Sequence, residues 1–143
     1  ELDKYAVRMG GGRNHRMNLA DGILVKDNHI AALFASGLSL KRIVALAVRN
    51  APHTLKVEVE VAAPEEAVEA VEAGAHIVML DNMTPSEMRR AVALVAGRAL
   101  VEASGGVTLA NVREVAATGV DIISIGALTH SPRALDISMD LES

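Results

Sequence analysis

Cysteine and tryptophan are absent from these 143 residues, and aromatics are reduced to Tyr5 and Phe34. Without thiols there is no disulfide framework, thiol nucleophile or zinc ribbon, and the composition is compatible with a reducing compartment. Without stacking aromatics a single-stranded nucleic-acid platform is not expected. Cations are outnumbered, 14 Lys plus Arg against 18 acids, for a net charge of -4 and a pI near 5.7. General binding to a phosphate backbone is therefore not expected, and any anion site has to be a local cluster of cations. No apolar run approaches the roughly 18 residues of a membrane span. No signal-peptide core follows Glu1, Asp3 and Lys4. The expectation is a cytoplasmic protein with neither membrane nor nucleic-acid partners.

What is present is a hydrophobic half, 50% of the residues, dominated by 24 Ala and 17 Val. A core of small aliphatic side chains follows. Short β-branched runs alternate with longer segments of helical period, the pattern of a parallel sheet with crossover helices. Five strands are predicted: Ile23 to Val25, Leu55 to Val61, His76 to Leu80, Ala99 to Glu102 and Asp121 to Ile125. Leu40, Ile43, Val44, Ala47 and Val48 form one helical stripe. Thr84-Pro85-Ser86-Glu87 is a capping box with proline at the first helical position; Met88, Ala91, Val92 and Val95 share a face, and Gly97 is the stop. Thr108 is expected to start a further helix with Leu109, Val112 and Ala116 inward and Gly119 as its stop.

Residues 73–81 and 118–126 repeat one grammar of helix, glycine, entry and strand. A right-handed β/α array is implied. A closed eightfold barrel takes about 250 residues, so five strands make either an open sheet or a piece of something larger. Glu1 to Arg8, which reads as the interior of an uncapped helix, favours the second view.

Active sites of parallel β/α folds gather at the carboxyl ends of the strands. Those ends carry Lys26, Glu60, Asp81, Glu102 with Ser104-Gly105-Gly106, and Gly126-Ala127. Strict alternation in Lys56-Val57-Glu58-Val59-Glu60-Val61 sets three charges on one face. That face is the wet side of an edge strand or, if helices cover the other face, the wall of a barrel mouth. Gly10-Gly11-Gly12-Arg13-Asn14-His15-Arg16, with Lys26, gathers cations around a backbone that a ligand can approach closely. The chemistry fits a small polyanion, and the competing reading is a basic surface loop. Ser104-Gly105-Gly106-Val107-Thr108 before a helix offers a hydroxyl, free amides and a helix terminus to a phosphate, and Gly126-Ala127-Leu128-Thr129 could add more amides. Ordinary β/α turns need glycine as well.

Four histidines have weaker cases. Lys26-Asp27-Asn28-His29 reads as a helix start capped by Asp27 or Asn28, with His29 structural; His53 and His76 fall at a loop and a strand entry, and His130 in a loop with Pro132. No pair has transition-metal spacing, whereas magnesium met by Glu60 and Asp81 is compatible with the residues.

Six motifs in order, Gly10 to Arg16, Leu24 to His29, Val57 to Val61, Leu80-Asp81-Asn82, Glu102 to Gly106 and Ile125 to Ser131, resemble the quinolinate phosphoribosyltransferase family, also called nicotinate-nucleotide pyrophosphorylase (carboxylating). The resemblance runs end to end. It implies transfer of phosphoribosyl from phosphoribosyl pyrophosphate to quinolinate with loss of CO2, giving nicotinate mononucleotide and pyrophosphate in NAD biosynthesis, with magnesium as cofactor. The implied fold is a partial TIM-like β/α barrel, with residues 1–143 as its carboxyl-terminal part. Carried over, His15, Arg16 and Lys26 would hold the quinolinate carboxylates. Glu60 and Asp81 would face the ribose hydroxyls and the magnesium, and Lys26, Glu60 and Asp81 would be catalytic. Ser104, Gly105, Gly106, Ile125, Gly126 and Ala127 would hold the phosphate. The resemblance leaves Arg13, His29, Lys56 and Glu58 without roles.

Two departures stand out. Family members carry an amino-terminal sandwich domain and a Thr-Arg-Lys-Thr stretch before the segment resembling Glu1 to Arg8, and neither is in this sequence. The family is also dimeric, with a partner arginine completing the pocket, so a homodimer or higher assembly with a shared site is expected and the chain alone is expected to be inactive or nearly so. The alternatives are a phosphoribosyltransferase-like homologue with another acceptor and a noncatalytic phosphate-binding fragment.

Overall fold

Five parallel strands, β1 (Ile23–Val25), β2 (Val57–Val61), β3 (Ile77–Asp81), β4 (Leu100–Ser104) and β5 (Ile122–Ile123), lie side by side in sequence order. The structure is a computed structural model and describes residues 1–141. Its helices are α1 (Leu2–Met9), α2 (Asp27–Ala35), α3 (Leu40–Asn50), α4 (Pro64–Glu72), α5 (Pro85–Val95), α6 (Val112–Ala116) and α7 (Ala127–His130). The β/α array predicted from the pattern is the one observed.

The two faces of the sheet differ because strand period 2 sorts the side chains. On one face Val57, Val59, Val61, Val78, Leu80, Val101 and Ala103 are buried in a single cluster with Leu40, Ile43 and Val44 of α3, Ala67 and Ala70 of α4, and Met88, Ala91 and Val95 of α5. Alanines at the helix contacts let helix and sheet approach closely, so the small-residue composition is itself the packing solution. The other face carries Glu58, Glu60, Met79, Asp81, Glu102 and Ser104 and forms the wall of a concavity. The charged face of β2 is therefore the inner wall, and the edge-strand reading falls away: β2 is flanked by β1 and β3.

Local signals held where a side chain had a defined partner. Thr84 Oγ1 accepts from the Glu87 amide at 3.3 Å while Glu87 Oε2 accepts from the Thr84 amide at 2.7 Å, the reciprocal cap predicted for α5. Ser39 caps α3 in the same manner, accepting from the Arg42 amide at 3.4 Å. His76, at the entry of β3, accepts from the Val57 amide through Nδ1 at 3.0 Å.

Four expectations are corrected. The last crossover helix starts at Val112 rather than Thr108: the Thr108 hydroxyl donates to Asn111 Oδ1 at 3.3 Å instead of accepting from the Asn111 amide, and that amide bonds the Thr108 carbonyl at 3.3 Å, which closes residues 108–111 as a turn. Leu109 and Ala116, both predicted inward, are exposed, Leu109 to 98%, and Val115 is the residue of α6 that reaches the core. At the start of α2 the N-cap position belongs to Lys26, not to Asp27 or Asn28, and the Lys26 amide is satisfied by His29 Nδ1 at 3.1 Å. His130 ends the short helix α7 and is not in a loop. Strand ends moved too: β4 continues to Ser104, which puts Glu102 inside the strand, and β5 is only Ile122–Ile123.

Candidate active site

The concavity on the inner face has a volume of about 1200 Å³ and runs along the strands, from Lys56 and Asp121 at their amino ends to Lys26, Asp81 and Ser104 at their carboxyl ends. Its wall includes Arg13, His15, Arg16, Lys26, Lys56, Glu58, Glu60, Asp81, Glu102, Ser104, Ile125 and Gly126. Of the predicted site residues, His15, Arg16, Lys26, Glu60, Asp81, Ser104, Ile125 and Gly126 are thus brought to one wall; Gly105, Gly106 and Ala127 are not part of it. Cations come from the segment before β1, from its end and, through Lys56, from the entry of β2. Carboxylates come from the middle strands.

The cationic side is positioned by backbone contacts of residues 10–16 to α1. The Gly12 amide donates to Val7 O at 2.9 Å, Asn14 Nδ2 to Lys4 O at 3.0 Å, and Lys4 Nζ to Arg16 O. A β-carbon on Gly12 would stand 3.0 Å from Val7 Cγ1, so the close pass of the loop over α1 favours glycine there. Met17 and Asn18 amides donate to Asp21 Oδ2 at 2.8 and 3.2 Å, which turns the chain into β1.

On the acidic side, Glu60 has its carboxyl pushed up from the ordinary value, first by burial, then by the neighbouring negative charges of Asp81 and Asp27, against a smaller pull from Lys26 and His29. Asn82 Nδ2 donates to Asp81 Oδ2 at 2.9 Å, and the Asn82 amide donates to Ser104 O at 2.9 Å, tying the end of β3 to the end of β4. This crowding of like charge on an all-oxygen donor set fits a hard divalent cation such as magnesium.

A second acidic group lies deeper. His15 Nε2 is 2.9 Å from Glu58 Oε2 and 3.7 Å from Glu102 Oε1, and Ser124 Oγ donates to Glu102 Oε1 at 2.5 Å. Both glutamates are buried, at 6% and 2% exposure. Burial, and next the charge of Glu102, push the Glu58 carboxyl up, while His15 pulls it down. One ligand atom from each of these residues falls within 4.8 Å of the others, close enough to share a metal ion. Glu58 Oε2 is taken by His15 and Glu102 Oε1 by Ser124, while Glu58 Oε1 is buried without a hydrogen-bond partner among the described residues.

Ser124 and Asn82 were not singled out as site residues from the sequence. Ser124 lies two residues beyond Ile122 in the alternation of β5, which was a signal for an inward side chain. The anion cradle drawn on a helix terminus after Ser104 is overturned: α6 begins eight residues later, at Val112, and is only 5 residues long. What the turn offers a phosphate is the Ser104 hydroxyl and loop amides.

A sequence profile described as "Quinolinate phosphoribosyl transferase, C-terminal domain" matches residues 1–140. The chain belongs to that family. A probable nicotinate-nucleotide pyrophosphorylase (carboxylating) of Bacillus subtilis (strain 168) is 46% identical over 140 residues, 98% of this chain and 47% of that protein. The nicotinate-nucleotide pyrophosphorylase (carboxylating) of Homo sapiens is 41% identical over 98% of this chain and 47% of its own length. Among solved structures, NadC from Streptococcus pyogenes superimposes with a TM-score of 0.82 at 45% identity, covering 96% of this chain and 47% of that one. The chain spans about half the length of the quinolinate phosphoribosyltransferase relatives it matches. The predicted α/β architecture agrees with that superposition. No single helix among the described residues is long and apolar enough to cross a membrane.

Proposed function

We propose that the intact gene product transfers the phosphoribosyl group of phosphoribosyl pyrophosphate to the ring nitrogen of quinolinate, with loss of one carboxylate as CO2, giving nicotinate mononucleotide and pyrophosphate for NAD biosynthesis. The observation that carries the proposal is the composition of one wall. In a chain of this family, His15, Arg16 and Lys26 share a concavity with Glu60 and Asp81.

Quinolinate is a dianion. Arg16 offers a planar fork and Lys26 a point charge to its carboxylates, and His15 adds a ring nitrogen, so the substrate is held in one orientation. Bond cleavage at the sugar carbon develops positive charge on the ribose, and the carboxylates of Glu60 and Asp81 stabilise it without forming a covalent intermediate. Ser104, with the backbone of Gly105, Gly106, Ile125, Gly126 and Ala127, holds the phosphate. Glu60 and Asp81 would also hold a magnesium ion, which would supply positive charge to offset that of the pyrophosphate. A homodimer with a shared site and a cytoplasmic setting belong to the same reading, as does inactivity, or near inactivity, of residues 1–143 alone.

The test is nicotinate mononucleotide formation by the intact gene product given quinolinate, phosphoribosyl pyrophosphate and magnesium. Product is expected, together with calorimetric binding of quinolinate that disappears in Arg16→Ala. A folded protein that yields no product would move the reading to another acceptor. Retention of the only measurable function in Glu60→Gln and Asp81→Asn would instead favour a noncatalytic phosphate-binding role.

A further inference from the structure

Glu58 of β2 and Glu102 of β4 turn to the inner face with side chains more than nine-tenths buried. His15 reaches them from the loop before β1, its Nε2 2.9 Å from Glu58 Oε2 and 3.7 Å from Glu102 Oε1. Neither glutamate pairs with a Lys or Arg among the described residues. With Oε2 on His15, Glu58 Oε1 is left buried and without a hydrogen-bond partner among those residues. A buried carboxylate oxygen of this kind is costly, and native structures resolve it with a donor, a water or an ion. The His15 ring is 32% exposed and lines the concavity, so a ligand can reach the group from there.

We propose that His15, Glu58 and Glu102 form a binding site for a transition metal of the zinc class, separate from the Glu60–Asp81 pair and with one coordination position open to the concavity. The first argument is distance. One ligand atom from each of the three residues falls within 4.8 Å of the other two. Ligands about 2.1 Å from a tetrahedral zinc lie about 3.4 Å from one another, and the observed 2.9 and 3.7 Å stand on either side of that value. Donor chemistry is the second. A nitrogen ligand beside two carboxylates suits zinc, whereas Glu60 and Asp81 offer oxygen alone and suit magnesium. The third is support: Ser124 Oγ donates to Glu102 Oε1 at 2.5 Å, as outer hydrogen bonds hold ligating carboxylates elsewhere. An ion among the three residues replaces the single His15–Glu58 contact and gives the orphaned Oε1 a neighbour of opposite charge. His15 and Glu58 are 43 residues apart, so no local motif marks the site.

The inference does not rest on the quinolinate reading, and its test reads metal binding rather than turnover. The intact gene product, stripped with a chelator and held in excess magnesium to fill the Glu60–Asp81 pair, is titrated calorimetrically with zinc chloride. One zinc per chain is expected, with a Kd below about 10 μM. Glu58→Gln and Glu102→Gln should each weaken it at least about tenfold, while Asp81→Asn should leave it within about twofold. Cobalt(II) in place of zinc should show the visible absorption of a four-coordinate ion, and Glu102→Gln should remove it. No binding, binding that survives both glutamine variants, or a loss in Asp81→Asn as large as that in Glu102→Gln overturns the proposal. Should the variants fail to fold, zinc-soaked crystals of the parent decide. An anomalous peak among His15 Nε2 and the two carboxylates is expected. No peak, a peak elsewhere, or a side chain from the rest of the gene product seated on Glu58 Oε1 overturns the proposal. A parent protein that forms no nicotinate mononucleotide yet binds zinc in this way would remove the substrate assignment and support the metal site.

Discussion

Asn82 occupies the space that a β-carbon on Gly105 would need: such an atom would lie 2.3 Å from Asn82 Oδ1 and 2.9 Å from its backbone nitrogen. Gly105 also has a φ of +86°, and Asn82 itself sits at +51°. Two left-handed residues interlock across the ends of β3 and β4, and the amide of one holds the Asp81 carboxylate. Gly105→Ala is expected to cost about 1–3 kcal/mol, the combined effect of positive φ and displacement of Asn82. It should also lower turnover in the intact gene product through Asp81. Gly106→Ala, at φ +61° with nothing within 4 Å of the added carbon, should cost only the conformational part. Urea unfolding of the two variants side by side checks this, and equal losses would sink the interlock.

The Glu60 and Asp81 carboxylates should matter to chemistry more than to folding. Glu60→Gln and Asp81→Asn are each expected to reduce turnover at least about a hundredfold while leaving the unfolding midpoint within experimental spread or slightly higher, since like-charge crowding is relieved. Magnesium titrations of activity should shift to higher concentration in both. A large activity loss matched by an equal loss of stability would point to a structural role.

Glu58 sets a stability slope whose sign can be worked out. Burial raises its folded carboxyl above the ordinary 4.5, so the folded chain binds that proton more tightly than the unfolded one. Its contribution to stability is fully present below the unfolded value and is lost as pH rises through the raised folded value. Glu58→Gln should therefore gain stability relative to the parent at neutral pH, and the gain should shrink toward pH 5. Denaturant midpoints at three pH values measure it, and a gain that grows on acidification would contradict the assignment.

The correction at α6 gives its own test. Leu109→Ser is expected to be neutral because the side chain is 98% exposed, whereas Val115→Ala, with Val115 4% exposed, should cost about 1–3 kcal/mol. Were Leu109 the inward residue that the helical spacing predicts, the two results would exchange places.

These cases show where reading residues in a line succeeds. The alternation of β2 and the stripe of α3 are properties of neighbours in sequence, and both were legible in full. So was the capping box of α5, whose two partners lie three residues apart. Thr108 looks equally convincing as a cap, yet its hydroxyl donates to Asn111 Oδ1 instead of accepting the Asn111 amide, a choice between local polar partners that spacing does not rank. The candidate site divides in the same way. Residues at strand ends were found because the fold forces those ends together, whereas the contact between His15 and Glu58 spans 43 positions and becomes visible only when β2 lies beside the loop before β1. Gly105 was singled out as a phosphate ligand; the fold gives it a clearer duty as the place where Asn82 fits.

The core of valine, alanine and methionine also makes the chain optically quiet. It contains no indole, and its lone phenol, Tyr5, lies 60% exposed on α1, outside the packed cluster. Loss of the sheet would therefore leave this chain's ultraviolet emission almost unchanged, and its unfolding has to be followed by circular dichroism or by an introduced fluorophore. Phe34, the other aromatic ring, is 48% exposed on α2. A pyridine ring entering the concavity would absorb against a nearly transparent wall, so difference spectroscopy on this domain would read the ligand's own chromophore with little background from the protein around it.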